Sequence, residues 1–413
     1  MKITVNYADL HKTLETALTV YADKQSLQGT ETVLFIVDGN TCTVNTGTLD
    51  TFCTLEMPVV KVDGDGAFNV PVNELTRVLA GYNNLHTSDV QSVDFDADVE
   101  KGTEKLSITE LMRTDDKDSI PETNTSYTRL TVKKLNAFQN EMLKALQEQK
   151  TDGYTEVSND ELGAYLKNLM PALNNGQQGD SVATRATFDD EYVYVPSVYY
   201  VLMLQNKLPE VLHGVCFKRG MVKFLSAYLK AGETAQIRVD KLSVVGNVVQ
   251  VVVRTESGTA LLRAYDTARK FDVKPFTNMP SDGVYVSRAY FCDIMRRLSC
   301  FDENVVVTID CTAGECTFVN SKTNQRMKAW YTNGNGVYKF ELEPAKLNKV
   351  AMCTSPVSLF DENGNDSTGI WITAENNRTG TLNVGFYDKT YRWKTRITEI
   401  AAVDADGGNF SWN

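Results

Sequence analysis

A short strand that runs directly into an amphipathic helix occurs six times along the chain, and this repetition constrains the fold more than any other feature. The copies begin near residues 1, 66, 127, 213, 282 and 336. In each copy, alternating apolar residues are followed by an apolar stripe at helical spacing. Self-similarity of this kind indicates a protein built from repeated strand-helix units.

The segments between the helices have the alternation and β-branched enrichment of antiparallel hairpins, as in TVLFIVDGNTCTVNTG and NVVVTIDCTAGECTFVN. A chain of 413 residues is also too long for a single core. We therefore predict an α+β fold of three tandem domains, each with two helices on antiparallel sheets, at 1–124, 125–279 and 280–413. Residues 151–181 break the spacing and are expected to be an insertion in the second domain, and a C-terminal tail is expected from about 401.

Charge is distributed unequally between the helices and the rest of the chain. The net charge is -11, yet the six predicted helices sum to +8, which leaves -19 for the remainder. The most basic segment is FKRGMVKFLSAYLK, residues 217–230, in which Arg219, Lys223 and Lys230 fall within about 40° of one another on a helical wheel, opposite an apolar stripe. Solubility alone does not require such segregation. It suits helices that face a polyanion and an outer surface that repels it.

Neither catalysis nor cofactor binding is indicated. The three histidines have no serine or cysteine beside them in a nucleophile motif, and no P-loop or strand followed by GxGxxG occurs. The eight cysteines form no CxxC pair and are expected to be free thiols, so we predict no metal site, no cofactor and no enzyme activity. The chain has no apolar run of about 18 residues and no signal peptide, which predicts a cytoplasmic protein without a membrane partner.

Three passages carry a resemblance to a known family: MKITVNYADLHKTLETAL at the start, VPVNELTRVLAGY from residue 70, and LPEVLHGVCFKRGMVKFLSAYLKAGETAQIRVDKLSVVGNVVQVVVRTESGTALLRAYD from residue 208. They resemble the DNA sliding clamps of bacterial type, the β subunit of the replicative DNA polymerase. The resemblance rests on pattern and covers nearly the whole chain except the insertion and the last dozen residues.

The resemblance implies the DNA clamp fold and a closed ring made by a head-to-tail homodimer, with helices around duplex DNA and sheets outside. The implied function is that of a processivity factor, which tethers a DNA polymerase to its template and is loaded by a clamp loader. The divergence of the sequence suggests a replication system such as that of a large phage.

In such a ring, helix cations would contact phosphates without reading the bases, so that the protein can slide. The expected DNA-facing residues are Lys133, Lys134, Lys144, Lys218, Arg219, Lys223, Lys230, Arg288, Arg296, Arg297, Lys346 and Lys349. The helices of the first domain are not basic as a set, and a role for Lys12, Lys24 and Arg77 is left open.

The resemblance also implies an apolar groove between the second and third domains that binds short peptide motifs of polymerases. The candidate groove residues are Tyr200, Leu202, Leu204, Pro275, Val284 and Ile397, and each is equally compatible with a core position. The polar turn before a leucine that relatives use is missing from VPSVYYVLML, and the chain ends in NFSWN rather than on an apolar residue.

Two other functions remain open from the sequence. One is a processivity factor of related fold that does not close into a ring and holds DNA by charge alone. The other is a structural β-rich protein that does not bind DNA, in which the basic helix faces are only solvated.

Overall fold

The computed structural model describes residues 1–21, 31–80, 90–98, 103–112, 122–131, 135, 137–173, 185–196, 200–242, 248–266, 284–299, 305–310, 315–320, 325–330, 337–342, 369–374, 382–387 and 392–397. The helices in these ranges are α1 Tyr7–Leu18, α2 Val72–Ala80, α3 Ala137–Gln147, α4 Asn159–Leu169, α5 Arg219–Tyr228 and α6 Arg288–Ser299. The described residues form two compact units, one comprising Met1–Asp160 and Lys223–Ala264 and the other Glu161–Val222 and Tyr265–Asn413.

Strands make up most of the regular structure of both units. The first thirteen are β1 Lys2–Asn6, β2 Thr32–Asp38, β3 Thr41–Gly47, β4 Thr51–Met57, β5 Lys61–Asp63, β6 Gly66–Pro71, β7 Val90–Asp98, β8 Thr103–Met112, β9 Glu122–Thr131, β10 Thr155–Ser158, β11 Arg185–Phe188, β12 Tyr192–Pro196 and β13 Tyr200–Gln205. The others are β14 Val215–Lys218, β15 Thr234–Lys241, β16 Val248–Thr255, β17 Gly258–Asp266, β18 Val284–Ser287, β19 Val305–Asp310, β20 Glu315–Asn320, β21 Arg326–Trp330, β22 Val337–Leu342, β23 Gly369–Ala374, β24 Leu382–Tyr387 and β25 Arg392–Ile397.

The first unit contains antiparallel sheets that share a phenylalanine core. One sheet has the strand order β5-β1-β7-β8-β9, a second has β6-β2-β3-β4-β17, and β10 joins β17 through β15 and β16. Phe35 of β2 and Phe68 of β6 are register partners whose rings stack with centroids 4.9 Å apart, and Phe95 of β7 lies 5.1 Å from Phe35. The alternation in these strands therefore buries one face against the other sheet, as the sequence pattern predicts.

The described strands of the second unit form two antiparallel sheets. The larger has the order β14-β11-β12-β13-β25-β24-β23-β18, and the smaller has β22-β19-β20-β21. Phe188 of β11 and Phe217 of β14 pack edge to face with ring centroids 5.3 Å apart. The α+β fold class predicted from the sequence is confirmed.

The same strand order recurs three times along the chain. The orders β4-β3-β2-β6, β13-β12-β11-β14 and β21-β20-β19-β22 are equivalent, and so are β1-β7-β8-β9, β10-β15-β16-β17 and β18-β23-β24-β25. In each copy the first strand passes without a loop into a helix, namely α1, α4 and α6. At the first junction, the Asn6 side chain ends the strand and caps the helix by accepting a hydrogen bond from the Ala8 amide at 2.9 Å.

The second of the three recurrences of the strand order begins at a different place from the one expected. The strand-helix unit predicted at residue 127 consists of β9, which pairs with β8 at the end of the first copy, and α3. The segment 151–181, expected to be an insertion, instead contributes β10 and α4, and β10 pairs with β15 as β1 pairs with β7. The helix added to the repeated pattern is therefore α3, whereas the boundaries of the three domains stay a prediction.

Candidate nucleic-acid interface

Helix α5 and the strand before it carry three of the expected DNA-facing cations, Lys218, Arg219 and Lys223. The apolar stripe of Met221, Phe224, Leu225 and Tyr228 is buried, which turns Lys223 on the opposite side to solvent. An exposed cation fixed to a helix by its buried face is suited to contact a phosphate backbone.

A strand arginine joins this group. The Lys218 ammonium lies 5.1 Å from the centroid of the Tyr265 ring, and the Arg185 guanidinium lies 4.1 Å from the same centroid. Lys218 and Arg185 are register partners on β14 and β11. Helical periodicity did not point to Arg185 because the residue lies on a strand. Arg185 joins the group through its cross-strand register with Lys218, and the sequence does not reveal that register.

Two further lysines line one cavity of the first unit. Lys12 of α1 and Lys230, which follows α5, border a cavity of about 410 Å³ whose wall includes Leu55 and Met57. The acids Asp9, Glu56 and Glu256 line it as well. The structure thus brings together a cation of the first copy and one of the second, with carboxylates around them.

Helix α6 presents Arg296 and Arg297 to solvent, and both are bound by one acid. Asp293 lies 2.7 Å from Arg296 Nη2 and 2.9 Å from Arg297 Nε. The hydrogen bond from Arg296, together with the charge of Arg297, holds the pKa of Asp293 below its ordinary value. A phosphate that approached these arginines would compete with this carboxylate.

Helix α3 lies on the opposite face of its sheet from α1. Gln139 of α3 hydrogen-bonds Asn69 at 2.8 Å and Thr32 at 3.0 Å. Both residues belong to the face of β2 and β6 that points away from Phe35 and its core, because neighbouring strand residues alternate in direction.

Helix α1 contacts the core face of the same sheet. Thr46 shares the Phe35 face through its strand register, and it donates a hydrogen bond to the Ala17 carbonyl oxygen at 2.8 Å. Lys144 of α3, one of the expected DNA-facing residues, is exposed and pairs with Glu148 at 3.7 Å. Because α3 packs on the other face of the sheet, Lys144 does not lie on the same side of the sheet as α1.

Several expected site residues lie outside the description. Lys24, Lys133, Lys134, Pro275, Lys346 and Lys349 are outside the described residues, as is the tail from 401. Arg288 begins α6, but only its backbone is described. Arg219 begins α5 and is half-buried.

The expected groove residues lie mostly on two paired strands. Tyr200 and Ile397 are register partners of β13 and β25, and Leu202 and Val284 lie on β13 and β18, with only their backbones described. Leu204 is fully buried, which is the environment of a core residue rather than of a groove wall. The strands bring Tyr200, Leu202 and Ile397 together along one seam.

The described part of the chain contains no cluster of three or more histidine, cysteine, aspartate or glutamate side chains that could hold a metal ion. None of its described helices is long and apolar enough to cross a membrane. Cys42 and Cys53 are buried thiols, and burial raises the pKa of Cys53 to about 11 and that of Cys42 to about 12. Such thiols are poor nucleophiles and poor metal ligands at neutral pH.

No protein-family model and no curated protein matches this sequence. Solved structures do match over almost the whole chain. A putative DNA polymerase III β subunit from Eubacterium rectale has a TM-score of 0.67 at 10% identity, covering 98% of this chain and 100% of its own. The DNA polymerase III β subunit of Thermotoga maritima has a TM-score of 0.67 at 13% identity, covering 96% of this chain and 98% of its own.

A third match is the Helicobacter pylori β clamp bound to a DNA ligase peptide, with a TM-score of 0.65 at 10% identity, covering 96% of this chain and 99% of its own. At such low identities the likeness defines a class of fold rather than an activity. This chain has the DNA clamp fold, as its thrice-repeated strand order also indicates.

Proposed function

We propose that this protein is a DNA sliding clamp, a processivity factor that encircles duplex DNA and tethers a replicative polymerase without chemistry of its own. The observation that carries the proposal is the clamp fold over nearly the entire chain, combined with exposed cations on the basic helices α5 and α6. These cations would contact phosphates of any sequence, so the protein could slide.

Ring closure by two copies is supported by the edges of the sheets. The strand β4 pairs with β17, and its equivalent β13 pairs with β25. The strands that occupy the same places in the order, β21 and β9, each have one neighbour among the described strands. Pairing of β21 of one protein chain with β9 of a second chain would repeat these seams. Two such heterologous contacts would close a dimeric ring.

A DNA polymerase and a clamp loader would be the protein partners. The Helicobacter pylori clamp of the same fold was solved with a ligase peptide, which supports a peptide site on this chain as well. The seam of β13 and β25, with Tyr200, Leu202 and Ile397, is our candidate for it. The protein would act in the cytoplasm, and its divergence from the bacterial clamps, with identities of 10% and 13%, suits a phage-type replication system.

Charge reversal on α5 tests the DNA-binding part of this proposal. We expect Lys223→Glu to weaken binding to unrelated duplex DNAs by the same factor, about threefold or more at low salt, because a phosphate contact is lost and a repulsion is added. Binding is measured by fluorescence anisotropy as a function of salt, and thermal melting checks that the variant is folded.

The matched control is Lys61→Glu, which reverses an exposed lysine on β5. We expect it to bind DNA as the unchanged protein does. Equal affinities of the Lys223→Glu variant and the unchanged protein would contradict the proposal, and no binding by either would favour a structural β-rich protein.

A further inference from the structure

We propose that Lys167 of α4 is a DNA-contacting residue of the second copy of the repeat, in the place that Lys144 of α3 was expected to take. This inference rests on the proposed function and names a contact of the same surface. It follows from the equivalence of α1, α4 and α6, which the strand order defines independently of charge.

The three helices share two buried positions. The fourth residue of each is buried, as Leu10, Leu162 and Phe291, and so is the eleventh, as Ala17, Leu169 and Leu298. In addition, α1 and α4 both continue into a single 3₁₀ turn, at Thr19–Tyr21 and Met170–Ala172. Equal burial at equal positions means that the three helices have the same rotation about their axes relative to the strands that precede them.

The ninth position is exposed in all three helices and differs in charge. It is Glu15 in α1, Lys167 in α4 and Arg296 in α6. If Arg296 faces DNA, then Lys167 does so too, and Glu15 places a carboxylate at the corresponding point of the first copy. Lys167 is not among the expected DNA-facing residues because α4 lies in the segment expected to be an insertion.

Helix α3 does not share this pattern. Its fourth residue, Asn140, is exposed, and its buried Gln139 hydrogen-bonds the sheet face opposite to the one that α1 contacts. In a clamp whose α1 side faces DNA, Lys144 would lie on the outer surface. It pairs there with Glu148 and would make no phosphate contact.

Four single charge changes in the full-length protein separate these assignments. We expect Lys167→Glu to weaken duplex binding about threefold and to lower the slope of log affinity against log salt by about one, as the loss of one phosphate contact does. Lys144→Glu should bind as the unchanged protein. Glu15→Lys should bind more tightly and raise the slope, a gain that damage to the fold cannot imitate.

Lys223→Glu is the reference that tests the proposed function by itself. Two results would overturn the inference about α4 and leave the sliding-clamp proposal standing. In the first, Lys223→Glu weakens binding while Lys167→Glu does not. In the second, Lys144→Glu weakens binding as much as Lys167→Glu does. If neither Lys223→Glu nor Lys167→Glu changes binding, both are overturned. The solution mass of each variant shows that assembly is unchanged.

Discussion

The proposed DNA-facing cations are held by neighbouring acids to different extents, and this would decide which of them are available to DNA. Lys223 is exposed on α5, whereas Arg296 and Arg297 of α6 share the carboxylate of Asp293. Exposed ion pairs contribute little to stability. The main effect of Asp293 is therefore expected on DNA binding, where it competes with phosphate.

Removal of this carboxylate should strengthen DNA binding. The pKa of Asp293 lies below its ordinary value because of the hydrogen bond from Arg296 and the charge of Arg297, so the group is ionised at neutral pH. We expect Asp293→Asn to raise affinity for duplex DNA about threefold at pH 7. Asp63→Asn, which neutralises an exposed aspartate of β5, is the control and should have no effect. Weaker binding by Asp293→Asn would mean that Asp293 positions the arginines instead.

At the scale of elements, the seam between β4 and β17 depends on a glycine. Gly258 has a φ of 154°, and a Cβ added to it would overlap the Thr54 carbonyl oxygen and lie 3.0 Å from the Leu55 Cα atom. Gly258 and Leu55 are register partners, so this close approach of two backbones lies within the pairing of β17 with β4. A side chain at this position would force the strands apart.

Gly258→Ala should therefore destabilise the protein. We expect the free energy of unfolding to fall by about 2 to 3 kcal/mol, the cost of forcing atoms into a packed site. Gly163→Ala is the matched control, since its added Cβ has no atom within 4 Å and the residue lies inside α4. That variant should gain about 1 kcal/mol from the higher helix propensity of alanine. Urea unfolding measures both, and a Gly258→Ala protein as stable as the unchanged one would contradict the close approach.

The sequence predicted elements well where one strand-helix unit carries enough apolar residues to show its period. The units near residues 1, 66, 213 and 282 are β1-α1, β6-α2, β14-α5 and β18-α6. The pair β10-α4 was not recognised as a repeat unit because β10 has four residues and only one of them, Val157, is buried. So short a strand has no detectable alternation, whereas β9 and α3 match the pattern without belonging to a new copy.

The candidate site was predictable in part. The buried stripe of α5 and the exposure of Lys223 follow from helical periodicity alone. The contact of Arg185 with Tyr265 and the equivalence of Lys167 with Arg296 do not, because both depend on which strands become neighbours. Strand order is a long-range property that local periodicity does not encode.

At the scale of the whole molecule, closure into a ring would explain how an acidic chain can hold DNA. Non-specific affinities of roughly 10⁻⁴ to 10⁻⁶ M would release DNA quickly. A closed ring would retain DNA by topology instead, so that its helices need few cations and its outer surface can remain acidic. Two copies of the 46.0 kDa chain would form a particle of about 92 kDa.

The most direct test of encirclement is retention on closed DNA. The protein is incubated with linear plasmid, the DNA ends are ligated, and the complex is washed in high salt during gel filtration. We expect a protein of about 92 kDa that stays with the ligated circle and is released when one restriction cut makes the DNA linear again. Release from circular and linear DNA at the same salt concentration would contradict it and indicate a factor that holds DNA by charge alone.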